Sequence, residues 1–248
     1  MNGPRPRFIP VLLLSGKGLV KGSQFREHGY VGDPINTMRI FNEKLADEVV
    51  LLDIDARREG RTPDLELVTR IADECYMPLA VGGGLSQIED VERLIRSGVE
   101  KVVLNTAAVE RPGLITEVAE RFGSQSVAVA VDYLGPTDGR RVTTHNATTP
   151  RELDPLDWAE EAVTAGAGEI ILSSVERDGM RAGLDTGLIA EATARLGVPV
   201  VALGGAGSPQ DLRDVAALGA SAAAGSLFVH FGRRRSVLIT YALSGRDL

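Results

Sequence analysis

Two glycine-rich stretches, Val81-Gly82-Gly83-Gly84 and Leu203-Gly204-Gly205-Ala206-Gly207, carry the first chemical signal in this sequence. Each follows a short apolar run and opens an amphipathic segment. Bare backbone N–H groups then stand where a strand gives way to a helix, an arrangement suited to phosphate. Ala80-Val81-Gly82-Gly83 aligns with Ala202-Leu203-Gly204-Gly205, and Ser86 with Ser208. The next apolar runs end in Asn105-Thr106 and Gly225-Ser226, and Leu52-Asp53-Ile54 has its counterpart in Leu172-Ser173-Ser174. Gly82, Gly83, Gly84, Asn105 and Thr106 therefore group as one anion site. Asp178, Gly179, Gly204, Gly205, Gly225 and Ser226 group as a second, with Ser173 beside it. The same glycines also suit tight turns that bind nothing. Two equivalent sites in a duplicated chain imply a bisphosphate, or a substrate phosphorylated at both ends.

Other reactive side chains are few. Asp132 closes the apolar run Val129-Ala130-Val131 and is the best candidate for acid/base work, although an aspartate there also caps loop N–H groups. Lys21 lies in a long glycine-containing loop, where it is either an anion contact or a solvated lysine. Asp53 ends a strand and serves as a ligand contact or as a support. His28, His145 and His230 have no metal-ligand spacing, so no metal is expected. No Walker-type loop is present, and no cofactor is expected. The single cysteine, Cys75, is placed on the last turn of a helix as a packed hydrophobe.

With 248 residues, 44% hydrophobic and 25% charged, the chain has ample length for a sizeable core. A formal charge of −7 argues against general nucleic-acid or membrane-surface binding, which wants a basic face. No apolar run approaches the roughly 20 residues of a membrane span. The N-terminal residues lead straight into a strand without a signal-peptide pattern. A cytoplasmic location is the expectation.

The elements that must position these groups read as eight strands: 8–14, 48–53, 79–81, 101–104, 126–132, 169–173, 198–202 and 222–225. None alternates polar with apolar, which marks parallel strands covered on both faces. Helix starts are read at Asp33-Pro34, Thr62-Pro63-Asp64, Ser86-Gln87-Ile88-Glu89 and Ser208-Pro209. Further helices are read at 112–122, 155–165, 185–196 and 234–243. Eight β/α units with a half-chain repeat indicate one (β/α)8 barrel over residues 1–248, its chemistry on the loops after the strands. Two of those loops are long: 15–32, and 133–150, which is read as a hairpin around Thr137-Asp138-Gly139. Trp158 is placed in the helix ring and Tyr133 at the mouth.

The chain resembles the HisF family, the cyclase subunit of imidazole glycerol phosphate synthase. The resemblance rests on Leu19-Val20-Lys21-Gly22, Gly32-Asp33-Pro34, Leu52-Asp53-Ile54, Asn105-Thr106-Ala107-Ala108, Arg177-Asp178-Gly179 and both glycine stretches, in the family's order. It implies two catalytic aspartates facing each other across the barrel mouth. Asp132 matches one, and the other position falls on Leu13, which cannot transfer a proton. In this respect the chain is similar to the HisF-like WbuZ branch associated with amidation of surface-polysaccharide sugars. Tyr30-Val31-Gly32 and Asp55-Ala56-Arg57-Arg58-Glu59-Gly60-Arg61 add to that likeness. Leu203 stands where the cyclase has a small polar residue, which makes the second anion site less hydrogen-bonding.

The resemblance also implies a charged ring at the opposite end, Arg7, Glu48, Lys101 and Glu169, admitting ammonia made by a docked HisH-like glutaminase. Charged strand starts can equally be stabilising ion pairs. The leading expectation is a subunit that receives ammonia and supports sugar amidation, with a separate ATP-using amidotransferase as a further partner. The alternatives are a histidine-biosynthesis cyclase with a non-standard acid/base pair, and a noncatalytic conduit that docks a glutaminase.

Overall fold

A computed structural model describes residues 5–232 and 234–241. The first strand, β1 (Phe8–Ser15), leads into a hairpin of β2 (Gly18–Ser23) and β3 (Arg26–Gly32), then helix α1 (Pro34–Glu43). There follow β4 (Val49–Asp53), α2 (Leu65–Asp73), β5 (Leu79–Gly82), α3 (Ile88–Arg96), β6 (Lys101–Leu104), the short α4 (Thr106–Glu110) and α5 (Gly113–Phe122). The second half runs through β7 (Val127–Leu134), the small strands β8 (Arg141–Thr144) and β9 (Thr149–Pro150), α6 (Pro155–Thr164), β10 (Glu169–Ser174) and α7 (Thr186–Arg195). It ends with β11 (Val200–Leu203), α8 (Pro209–Ala217), β12 (Ser221–Ala224), the short α9 (Ser226–Val229), β13 (His230–Phe231) and β14 (Ser236–Val237).

Eight of these strands pair in parallel, in the order β1, β4, β5, β6, β7, β10, β11, β12 and back to β1. The sheet is therefore a closed (β/α)8 barrel. Its strands lack polar alternation because both faces are dry. In β1, Ile9 and Val11 point to the barrel axis while Phe8, Leu12 and Leu14 pack under the helices. The axis is filled by branched residues, among them Ile9, Val50, Val103, Ile171 and Val201, together with Ala80, Ala128, Ala130 and Ala223.

Helix starts follow local chemistry. Asp33, Asp64, Asp154 and Ser208 cap α1, α2, α6 and α8 through their side chains, with proline in the first turn of α1, α6 and α8. Several expectations need correction. The cap of α3 is Gln87, one residue later than read, and Asp90 rather than Glu89 reaches back to the Ser86 and Gln87 N–H groups. The half-chain repeat is likewise offset by one. Gly83 meets the Asp53 carbonyl as Gly204 meets that of Ser174, and Gly84 meets the Arg61 carbonyl as Gly205 meets that of Gly183. A Cβ on Gly84 or Gly205 would come within 2.0 or 2.1 Å of those oxygens. Gly82 thus corresponds to Leu203, and Leu52 to Ser173. Three consecutive glycines let the alignment slide without penalty.

Cys75 lies beyond α2 and its cap Glu74, its Sγ donating to the Met77 carbonyl at 3.2 Å. No helix spans 234–241: Ser236–Val237 pairs with β13 instead, and residues 242 and 243 of that expected helix lie outside the described residues. The long loop 15–32 is an ordered antiparallel hairpin, and the hairpin around 137–139 forms by pairing of β7 with β8. Trp158 is buried in the helix layer, whereas Tyr133 faces away from the mouth, its hydroxyl 3.3 Å from Asp185. On a strand whose neighbour Asp132 points inward, residue 133 must point outward.

Candidate functional site

The strand ends surround one cavity of about 150 Å3 at the barrel mouth. Of the residues singled out in the sequence, Lys21, Asp53, Gly83, Gly84, Asn105, Thr106, Asp132, Ser173, Asp178 and Gly225 line it. Gly82, Gly179, Gly204, Gly205 and Ser226 stand behind this wall. Gly82 lies in β5 against Val103, and Gly179 packs on the Gly22 carbonyl of the β2–β3 hairpin. The Gln24 N–H donates to the Asp178 carbonyl at 2.9 Å, fastening that hairpin over the second half of the mouth.

Asp132 lines the cavity from β7 and is half-buried. Its Oδ2 accepts from Asn105 Nδ2 at 3.2 Å, and among the described residues no cation pairs with it. Burial pushes its carboxyl up to about 7. The Ser173 hydroxyl beside it partly opposes that shift, and the Asp178 charge adds to it. Ser173 Oγ is itself buried without a full hydrogen bond, as is Ser226 Oγ. Leu13 lines the same cavity, so the carboxyl has an apolar residue where a proton-transfer partner would be useful.

Lys21 is not a solvated lysine. It is buried, its Nζ donates to both Asp178 carboxylate oxygens at 2.8 and 2.9 Å, and its stem lies against Gly225. Asp53 is held from below: its carboxylate accepts from the Asp55 and Ala56 N–H groups and from the Arg61 guanidinium at 2.6 Å. It shapes the β4 loop, with little lone-pair capacity left for a ligand. Asn105 donates to the Ala130 carbonyl, and Thr106 Oγ1 accepts the His145 N–H at 3.0 Å.

Sequence reasoning passed over four residues of this wall: Phe25, His28, Arg57 and Asn146. His28 reaches the cavity from β3. Burial and the Lys21 charge lower its pKa, opposed by Asp178 and Asp55, so the ring is neutral at pH 7. The lack of metal spacing had removed His28 from consideration, although a lone histidine on a mouth loop is itself an acid/base signal.

At the opposite end, Arg7 and Glu48, just before β1 and β4, and Lys101 and Glu169, the first residues of β6 and β10, form a closed ring. Arg7 pairs with Glu48 and with Glu169, and Lys101 lies 2.9 Å from each of the same carboxylates. Burial pulls the Arg7 guanidinium down, but Glu169 and Glu48 outweigh it and leave its pKa raised. Among the described residues, no group of His, Cys, Asp and Glu is placed to hold a metal ion, and no helix is long and apolar enough to cross a membrane.

Fold and site together define a (β/α)8 barrel with duplicated strand-end loops at its mouth and a charged ring at its base. Residues 7–234 match the family described as "Histidine biosynthesis protein". The chain is 48% identical over 240 residues to a Pseudomonas aeruginosa protein provisionally named imidazole glycerol phosphate synthase subunit hisF2, covering 96% of each. It is 45% identical over 241 residues to a similarly named Leptospira interrogans protein, covering 96% of this chain and 95% of that one. It is 40% identical over 247 residues to imidazole glycerol phosphate synthase subunit HisF of a Nocardioides species, covering 96% of each. The chain belongs to the HisF family.

Proposed function

We propose that this chain is the synthase subunit of a glutamine-dependent enzyme of the imidazole glycerol phosphate synthase type. In this reading a glutaminase subunit docks at the base, and ammonia passes the charged ring and travels the apolar axis past Ala80, Ala128 and Ala130. It meets a substrate held at the mouth by phosphoryl groups on the two sets of strand-end loops. The observation that carries the reading is Asp132, a carboxyl lining the cavity between those loops, its pKa raised by burial to about 7. Half-protonated at neutral pH, it can give or take a proton there. The names borne by the relatives favour the cyclase of histidine biosynthesis. That reaction needs a second proton-transfer group; Asp178 and Asp53 line the cavity too but are tied to Lys21 and Arg61, which favours His28.

Leu13 favours a second reading. With an apolar side chain facing Asp132, the barrel suits an acceptor other than the cyclase substrate, such as a surface-polysaccharide sugar amidated with the help of a separate ATP-using enzyme. The deciding experiment is turnover of the ribulosyl-formimino-carboxamide bisphosphate with excess ammonium salt, for the wild type and for Leu13→Asp. Free ammonium replaces any glutaminase. Wild-type turnover abolished by His28→Gln supports the cyclase with His28 as partner. Turnover only in Leu13→Asp supports the second reading. Silence from both sinks the cyclase-derived mouth.

A further inference from the structure

Two hairpins reach over the mouth, and the half-chain repeat relates them. After the first barrel strand, β1 pairs antiparallel with β2 and β2 with β3; after the fifth, β7 pairs antiparallel with β8 and β8 with β9. The first tip is tied to the loop after the sixth strand, β10, by the Gln24 N–H on the Asp178 carbonyl and by Gln24 Nε2 on the Glu176 carbonyl, both at 2.9 Å. The second tip is tied to the loop after the second strand, β4, by Asn146 Nδ2 on the Ile54 carbonyl at 2.8 Å. One strap thus runs from strand one to strand six and the other from strand five to strand two. The half-turn that maps one half of the barrel onto the other exchanges them.

Both tips hold costly backbone. Of nine non-glycine residues with positive φ among the described residues, six lie here: Gln24, Phe25 and Glu27 in one, His145, Asn146 and Ala147 in the other. Each tip places one side chain in the cavity wall, Phe25 from the first and Asn146 from the second. Equivalent straps therefore carry unlike chemistry. Phe25 offers an apolar face. Asn146 has its Nδ2 held by Ile54, and its Oδ1 accepts no hydrogen bond among the described residues. An amide fixed on its donor side presents an acceptor. The neighbouring His145 N–H is bonded to Thr106 Oγ1, so this acceptor stands next to the loops read as the first anion site.

We propose that Asn146 is a specificity-determining contact, its Oδ1 accepting a hydrogen bond from a hydroxyl of a sugar phosphate whose phosphoryl group lies on the first half of the mouth. The inference rests on the reading of the strand-end loops as phosphoryl sites. It supplies what those loops lack, because duplicated glycine loops cannot tell one end of a doubly phosphorylated substrate from the other. The unlike straps can. A hydroxyl-bearing end lies under Asn146 rather than under Phe25, and the substrate is held one way round with respect to Asp132.

The test is calorimetric titration of the full chain with ribose 5-phosphate and with inorganic orthophosphate. Asn146→Gly removes the acceptor while easing the left-handed backbone, so a merely structural turn residue predicts no loss. In this variant one of the two binding events of ribose 5-phosphate is expected to weaken about fivefold, the worth of one neutral hydrogen bond, with orthophosphate unchanged. Ala147→Gly eases the adjacent backbone without touching the cavity wall and changes neither ligand. Circular dichroism of each variant controls for folding. Unaltered ribose 5-phosphate binding in Asn146→Gly overturns the contact, as does an equal loss in Ala147→Gly. An equal loss for both ligands in Asn146→Gly also overturns it, and marks the residue as a tether of the hairpin only. In each of these cases orthophosphate binding to the wild type leaves the phosphoryl reading in place. If neither ligand binds the wild type, both fall.

Discussion

The two ends of this barrel treat charge in opposite ways. At the base, Arg7, Glu48, Lys101 and Glu169 close on one another, each cation between two carboxylates. At the mouth, Asp132 is half-buried beside the Asn105 amide and the Ser173 hydroxyl, with no cation partner among the described residues. A carboxylate between two cations is fixed in place by them. An isolated one is pushed toward neutrality and can exchange its proton near pH 7. The difference separates a structural use of carboxylates from a chemical one, and each half of it can be broken.

The largest effect is expected at the mouth. Asp132→Asn should cut turnover by about two to four orders of magnitude, and the inflection near pH 7 in kcat/KM should vanish with it. A variant that retains full output would make the chain a noncatalytic conduit. At the base, Glu48→Gln leaves Lys101 and Arg7 short of a buried partner. It should cost about 3 kcal/mol in urea unfolding, while replacing all four ring residues by apolar ones costs less. A smaller effect with a definite sign concerns Asp132 and stability. Its carboxyl is protonated in the folded protein up to about pH 7 but ionises near pH 4 when unfolded. The contribution of this group to stability therefore falls as pH rises from about 4 to about 7. Asp132→Asn should be more stable than wild type above pH 7, with the gain fading toward pH 4. The smallest is Tyr241→Phe, which removes a buried hydroxyl bond of 2.9 Å to the Phe8 carbonyl and should lower stability by about 1 kcal/mol.

The barrel strands were legible because a strand buried on both faces must be apolar throughout, and the helix starts because Asp33, Asp64 and Ser208 do local work. What failed was long-range or nearly degenerate. Lys21 and Asp178 are 157 residues apart, so no local pattern announces their pairing. The segment after Arg234 has a helix-like apolar run, but it pairs with β13 and packs Ile239 against the core. His28 needed only a question other than metal binding.

Tyr241 also bears on how the chain is made. Its ring stacks on Phe228 with centroids 5.3 Å apart, and its hydroxyl reaches the start of β1, the first strand. β1 in turn completes its pairing only with β12. A nascent chain leaving the ribosome must therefore keep Phe8, Ile9 and Pro10 of its first strand waiting, unpaired on one edge, until β12 has been synthesised. The last aromatic residue then acts as the latch that joins the two ends.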